Sequence, residues 1–99
     1  MAEDNTEVFV YTEVFVYTEG VVVPEDVVRV RVHPSVTVIP ERAFDHCFKL
    51  EEVELCEGLL EVGKKAFAMC KLLRSIRIPS TVTVISDNAF LVVYWGASI

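Results

Sequence analysis

The sequence predicts a β-rich α/β solenoid whose coils carry short parallel strands and short helical turns, preceded by an N-terminal β cap. Three observations predict it. The dipeptide Ala-Phe recurs at Ala43-Phe44, Ala66-Phe67 and Ala89-Phe90, 23 residues apart each time. Apolar columns keep the same step: Val27, Leu50, Leu73; Val30, Val53, Ile76; Val32, Leu55, Ile78; Val36, Leu59, Val82; Ile39, Val62, Ile85; and Cys47 with Cys70. Ahead of the first repeat stands the duplicated hexamer EVFVYTEVFVYT, which is alternating and acidic.

Residues 1–26 are expected to form the acidic cap and residues 27–99 the solenoid, with repeats at 27–49, 50–72 and 73–95. In the cap, the even hexamer length keeps Phe9, Tyr11, Phe15 and Tyr17 on one parity and the valines on the other. Both copies therefore offer the same faces along a strand, and a slip of six residues preserves every facing. A first coil exposes an apolar end and an unpaired edge, so such a strand is a natural lid.

Within each repeat, the alternation at Val30-Val32, Val53-Leu55 and Ile76-Ile78 predicts a short parallel strand. Polar turns follow at Pro34-Ser35, Glu57-Gly58 and Ser80-Thr81, then a second extended piece such as SVTVI or TVTVI. Pro40, Gly63 and Ser86 then open a short helical turn around Ala-Phe, with proline suited to a first helical position and serine to a cap. A single 23-residue coil cannot bury its own apolar side, so the columns must become ladders between stacked coils.

Read together, the columns follow L-x-x-[VI]-x-[LI]-x-x-[SGT]-[VL]-x-x-[IV]-x-x-x-A-F-x-x-C, seen best in LEEVELCEGLLEVGKKAFAMC and LRSIRIPSTVTVISDNAF. This pattern resembles the BspA-like leucine-rich repeats, known from bacterial surface proteins and from eukaryotic microbes. The resemblance implies leucine-rich-repeat coils that present their strand side to protein partners. Two departures stand out. Cys56-Glu57 replaces the proline seen at Pro79, and after Phe90 the sequence LVVYWGASI lacks the next Cys and Leu, so the third repeat reads as broken or cut short.

Composition narrows the function classes. With 99 residues and 53% hydrophobic content, the chain is one small core-forming domain or a piece of a longer array. Its net charge is −6, of which residues 1–26 carry −7, having no Lys or Arg, so the repeat body is nearly neutral at +1. Lys64-Lys65 is a thin basis for gripping phosphates, and nucleic acid is not an expected partner. The acidic start MAEDNTE lacks the pattern of a secretory signal, and no apolar run reaches the length of a membrane span, which predicts a cytoplasmic protein with no membrane partner. Cys47, Cys56 and Cys70 form no CxxC pair and read as reduced thiols.

Chemistry finds little support. His46-Cys47 is the one adjacent His and Cys, but neighbours on a helical turn diverge, and the repeat column marks Cys47 as a small buried thiol. His33, His46, Cys47, Cys56 and Cys70 lack zinc-ligand spacing. There is no glycine-rich phosphate loop, GxSxG or HExxH, so neither an enzyme nor a metal or cofactor site is expected.

The strand positions facing away from the core say more. The period places Arg29, Glu52 and Ser75 in one column and Arg31, Glu54 and Arg77 in the next, with His33, Cys56 and Pro79 beyond. These positions read either as cross-strand ion pairs worth about 0.2–1 kcal/mol each or as a ligand face. Arg31 and Glu54 read first as a self-neutralising pair. The expected function is a non-enzymatic protein-interaction scaffold whose face comprises Arg29, Arg31, His33, Glu52, Glu54, Ser75 and Arg77. The alternatives are a capping fragment of a longer array with no ligand of its own, and self-association through the apolar solenoid ends.

Because both hexamer copies offer the same faces, deleting Glu7–Thr12 should leave the fold intact and change stability by only about 1 kcal/mol, the scale of a single-site change. Urea melts of the deletion variant check this, and complete unfolding would show that the doublet is structural as a pair.

Overall fold

A computed structural model of the protein describes residues 13–91. The first hexamer copy, Glu7–Thr12, and the residues after Leu91 lie outside them. Among the described residues seven short strands run in chain order: β1 Val14–Tyr17, β2 Arg29–Val32, β3 Val38–Ile39, β4 Glu52–Glu54, β5 Glu61–Val62, β6 Ser75–Ile76 and β7 Val84–Ile85. They form two parallel sheets, ordered β1-β2-β4-β6 and β3-β5-β7. Each coil thus gives one strand to each sheet, and β1 adds an extra strand to the first.

The 23-residue columns are the ladders of this fold. Val30 pairs with Val53 and Val53 with Ile76 in the first sheet. Ile39 pairs with Val62 and Val62 with Ile85 in the second. The polar turns fall where expected, at Pro34-Ser35, Glu57-Gly58 and Ser80-Thr81. Between the sheets lies one core that includes Leu50, Leu59, Leu73, Ile39 and Val62.

The Ala-Phe segments differ from the sequence expectation: the described residues contain no helix, and these segments are runs of overlapping turns. In the first coil, the N–H groups of Ala43, Asp45 and Cys47 donate to the carbonyls of Pro40, Arg42 and Phe44, each three residues back. The alternate N–H groups leave the coil altogether. Arg42 donates to the Lys64 carbonyl at 2.9 Å, Phe44 to Ala66 at 2.7 Å and His46 to Ala68 at 2.8 Å, and the second coil repeats this onto Asp87, Ala89 and Leu91. A helix would turn all its N–H groups back along its own axis. Left-handed backbone at Arg42 (φ 61°), His46 (φ 64°), Lys65 (φ 57°) and Met69 (φ 63°), on either side of Phe44 and Phe67, breaks the helical path so that every second N–H meets the next coil instead; Asn88 (φ 58°) takes the same conformation in the third coil. Pro40, Gly63 and Ser86 accordingly act as turn acceptors for Ala43, Ala66 and Ala89, not as helix starts.

At the corner before the second such segment the coils approach closely. A Cβ on Gly63 would lie 2.6 Å from the Ile39 carbonyl oxygen and 2.8 Å from the Pro40 carbonyl carbon. Backbone cannot move aside as a flexible side chain can, which explains a glycine there.

The phenylalanines form the spine of the core. Phe44 and Phe67 stack with ring centres 5.0 Å apart and planes 1° from parallel, and Phe67 and Phe90 do so at 5.4 Å and 3°. Tyr17 of β1 tops the column, its ring 5.2 Å from Phe44 and tilted by 55°. Along β1 the parity is as the hexamer implies, with Val14 and Val16 exposed, Phe15 half-buried and Tyr17 buried. The third coil is less covered: Ile85 is 51% exposed, whereas Ile39 and Val62 in the same column are fully buried.

Cys47 and Cys70 are buried and all three cysteines are free thiols. Cys70 Sγ donates to the Phe44 carbonyl at 3.1 Å, and the half-buried Cys56 donates to the Val32 carbonyl at 3.1 Å. Burial, reinforced by Asp45 and Glu25, pushes the Cys47 thiol up to about 11. Burial and the neighbouring Cys47 push Cys70 up to about 12. A thiol raised by folding contributes stability that is whole below its ordinary value of 9.0 and drains away as pH rises towards about 12.

Two outcomes follow. Phe67→Ala, with a ring on either side, should cost on the order of 3–5 kcal/mol in urea melts, while Phe90→Ala should cost clearly less; an equal loss would mean that Phe90 is enclosed on both sides. Native thiol labelling should modify Cys56 first, and stability should fall as pH is raised above 9.0, with the fall shallower in Cys70→Ala than in the parent.

Candidate functional site

The outward positions of the first sheet converge as the period requires. Register across the strands runs Val14, Arg29, Glu52, Ser75 in one column and Val16, Arg31, Glu54 in the next. Arg77 lies two residues beyond Ser75, just past β6, and so continues the second column. A groove of about 450 Å³ on this face is lined by Val14, Arg29, Arg31, Glu52, Glu54, Ser75 and Arg77 among others. Six of the seven expected residues are therefore together.

His33 is not one of the groove residues. It follows β2 immediately, and its Nδ1 accepts the Ser35 backbone N–H at 3.0 Å and contacts Ser35 Oγ at 2.8 Å, so the ring is tied to the Pro34-Ser35 turn. Accepting at Nδ1 leaves Nε2 to carry the proton of the neutral ring.

The middle of the groove is neutralised. Arg29 Nε lies 2.9 Å from Glu52 Oε1, and Arg31 Nε lies 3.1 Å from Glu54 Oε1. Both pairs are solvated, so each contributes about 0.2–1 kcal/mol and fixes side-chain direction more than stability. Arg74 extends the network from the next coil, with Nη2 at 3.2 Å from Glu51 and 3.9 Å from Glu52. Charge balance breaks at one end: among the described residues no carboxylate pairs with Arg77. At the opposite end Val14 and Val16 stand 39% and 44% exposed. The face thus grades from apolar, through paired ions, to the end lined by Ser75 and Arg77.

Val14, Val16, Arg74 and Glu51 were not singled out in the sequence. The valine parity of the hexamer was the available signal for the first two, since it needed only the pairing of β1 with β2. Arg74 and Glu51 occupy positions just before the strand alternation, where no column distinguishes them.

Elsewhere the polar side chains are tied to one another. Asp45 holds Arg42 Nη1 at 3.2 Å and His46 Nδ1 at 2.6 Å. His46 is exposed while Cys47 is buried, so the two side chains diverge and form no dyad. No group of three or more His, Cys, Asp and Glu among the described residues is placed to hold a metal ion. No helix among them is long and apolar enough to cross a membrane.

No curated protein and no solved structure matches the chain. A family model described as a BspA type leucine-rich repeat region (6 copies) matches residues 26–94. That span takes in every strand from β2 to β7 and both complete Phe-to-Phe steps, the parts of the molecule that repeat. The chain, whose 23-residue coils stack two parallel ladders on a phenylalanine spine, belongs to the BspA-type leucine-rich repeat family.

Proposed function

We propose that the chain is a non-enzymatic protein-interaction scaffold that presents the outward face of its first sheet. The observation that carries this reading is the Arg77 guanidinium, which ends the groove with no carboxylate partner among the described residues, two residues from the exposed Ser75. A planar guanidinium held on a rigid coil suits a carboxylate of a partner protein, which it can grip through two parallel hydrogen bonds. The ladder bonds fix the backbone before binding, so recognition loses little conformational entropy. Arg29 and Arg31, already satisfied by Glu52 and Glu54, would set the rim of the contact and its register. In this reading residues 1–26 serve as the cap of a solenoid at 27–99, supported by the seat of Tyr17 over Phe44.

A second reading is a structural element of a longer array with no ligand of its own. It is favoured by the exposure of Val84, Ile85 and Leu91, at 44%, 51% and 43%, which a further coil or the end of a second copy would cover.

The test uses affinity capture from native lysate with the parent chain, Arg77→Glu on the groove, and Lys64→Glu on the turn segment as control. A partner should be held by the parent and the control and weakened about tenfold or more by Arg77→Glu, the equivalent of about 1.4 kcal/mol. A partner indifferent to Arg77→Glu would move the binding surface elsewhere.

A further inference from the structure

The groove on the first sheet also specifies the form of what it holds, an inference that rests on the strand-face reading and deepens it. The outward residues make two parallel ridges across the sheet, one through Val14, Arg29 and Glu52 and the other through Val16, Arg31 and Glu54. On any one strand the members of the two ridges are two residues apart, which sets the ridges about 6.6 Å apart. Val30 and Val53 line the groove although their side chains are buried in the core, so its floor between the ridges is strand backbone. The groove therefore runs across the strands. An α-helix with its side chains is about 10–12 Å in diameter and too broad to enter between the ridges. An extended chain, which in a sheet sits about 4.8 Å from its neighbours, can lie along it.

The walls change from strand to strand. At β1 they are the exposed Val14 and Val16. At β2 and β4 they are the pairs Arg29–Glu52 and Arg31–Glu54, each joined Nε to Oε1 and each open to solvent. A guanidinium has five donors and a carboxylate about four acceptor sites, so both walls keep donors and acceptors beyond those the pairs use. Such a mixture suits the alternating C=O and N–H groups of a peptide backbone, whatever its side chains. At and just past β6 the groove ends on Ser75 and Arg77, and Arg77 has no carboxylate partner among the described residues.

We propose that the groove takes an extended segment of a partner protein laid across the strands, with an Asp or Glu on Arg77 and, four residues away, an apolar side chain between Val14 and Val16. The spacing comes from the sheet. β1 and β6 are three strand spacings apart, about 14 Å, and an extended chain rises about 3.3 Å per residue, which gives about four residues. Because four is even, both side chains leave the extended segment on the one face turned to the groove; a spacing of three or five would turn one of them away. The paired ions between hold the backbone and leave the intervening sequence free.

Selection of random peptides from a display library on the immobilised full chain tests this. Asp or Glu four residues from Leu, Ile, Val or Phe should be enriched over the same pair at three or five residues. Arg77→Glu should weaken a selected peptide about tenfold or more, since a guanidinium–carboxylate contact becomes a repulsion. Selection repeated on Arg77→Glu should exchange the acidic residue for Lys or Arg and keep the apolar one, while selection on Val14→Lys should place an acidic residue at both ends. The near-ultraviolet signal of the Tyr17–Phe44 contact shows that each variant is folded. Absence of enriched peptides, enrichment at three or five, or helical bound peptides would each overturn the inference. If a lysate partner is lost on Arg77→Glu but no four-residue pattern is selected, this inference fails and the strand-face reading stands; a selected pattern and a lysate partner that both ignore Arg77→Glu would sink the two together.

Discussion

The stack of Phe44, Phe67 and Phe90 is the contact on which the coil spacing depends. Its ring separations of 5.0 and 5.4 Å lie close to the spacing of about 4.7–4.9 Å between neighbouring strands. One side chain per coil therefore fills the interior at the pitch the backbone needs for pairing. Were the spine narrower, the two sheets could keep their ladders only by leaving a void between them. Were it wider, the ladders would part. The flanking positions serve the same requirement: Ala66 and Ala89 are buried small residues beside the rings, and Cys70 adds a thiol that bonds to the Phe44 carbonyl of the coil before it.

Backbone bonding completes this arrangement. The strand segments pair with the neighbouring coils, and the turn segments of the first two coils donate forward into the next coil from Phe44 and Phe67 and from the left-handed residues that flank them. Such residues cost conformational energy at Arg42, His46, Lys65 and Met69, where no glycine relieves it. That cost is offset because each forward bond satisfies an N–H that would otherwise be buried without a partner. The coil is therefore a poor structure alone and a good one in company, in keeping with its dependence on neighbours for a core.

Much of this was legible in the sequence because a repeat writes each constraint several times. The step from Phe44 to Phe67 to Phe90 fixed the coil length, and the alternation at Val53-Leu55 identified the strand whose outward neighbours, Glu52 and Glu54, meet Arg29 and Arg31 in the groove. The turn segments were misread as helical because Pro40 and Ser86 suit a helix start, while the residues that adopt positive φ are mostly Arg, His, Lys and Met. Of these positions only Asn88 advertises a left-handed backbone by its type. His33 was drawn onto the face by its column, yet the nearby Ser35 captures it through a local bond that spacing alone does not reveal. The seat of Tyr17 on Phe44 was equally hidden, since it joins β1 to a repeat of different length.

The forward-donating turns also make the molecule electrically directional. The peptide unit between Arg42 and its predecessor donates to the carbonyl of the Lys64–Lys65 unit, whose own N–H, on Lys65, donates to the Asp87 carbonyl; Phe44, Ala66, Phe67 and Ala89 form a parallel series. Peptide dipoles are thereby threaded head to tail along the coil axis, as they are along a helix, though each belongs to a different turn of chain. Their carbonyl ends all look back toward the first coil, and their N–H ends look forward. Coil addition in such a lattice has a polarity, and a coil laid on in reverse would oppose carbonyl to carbonyl.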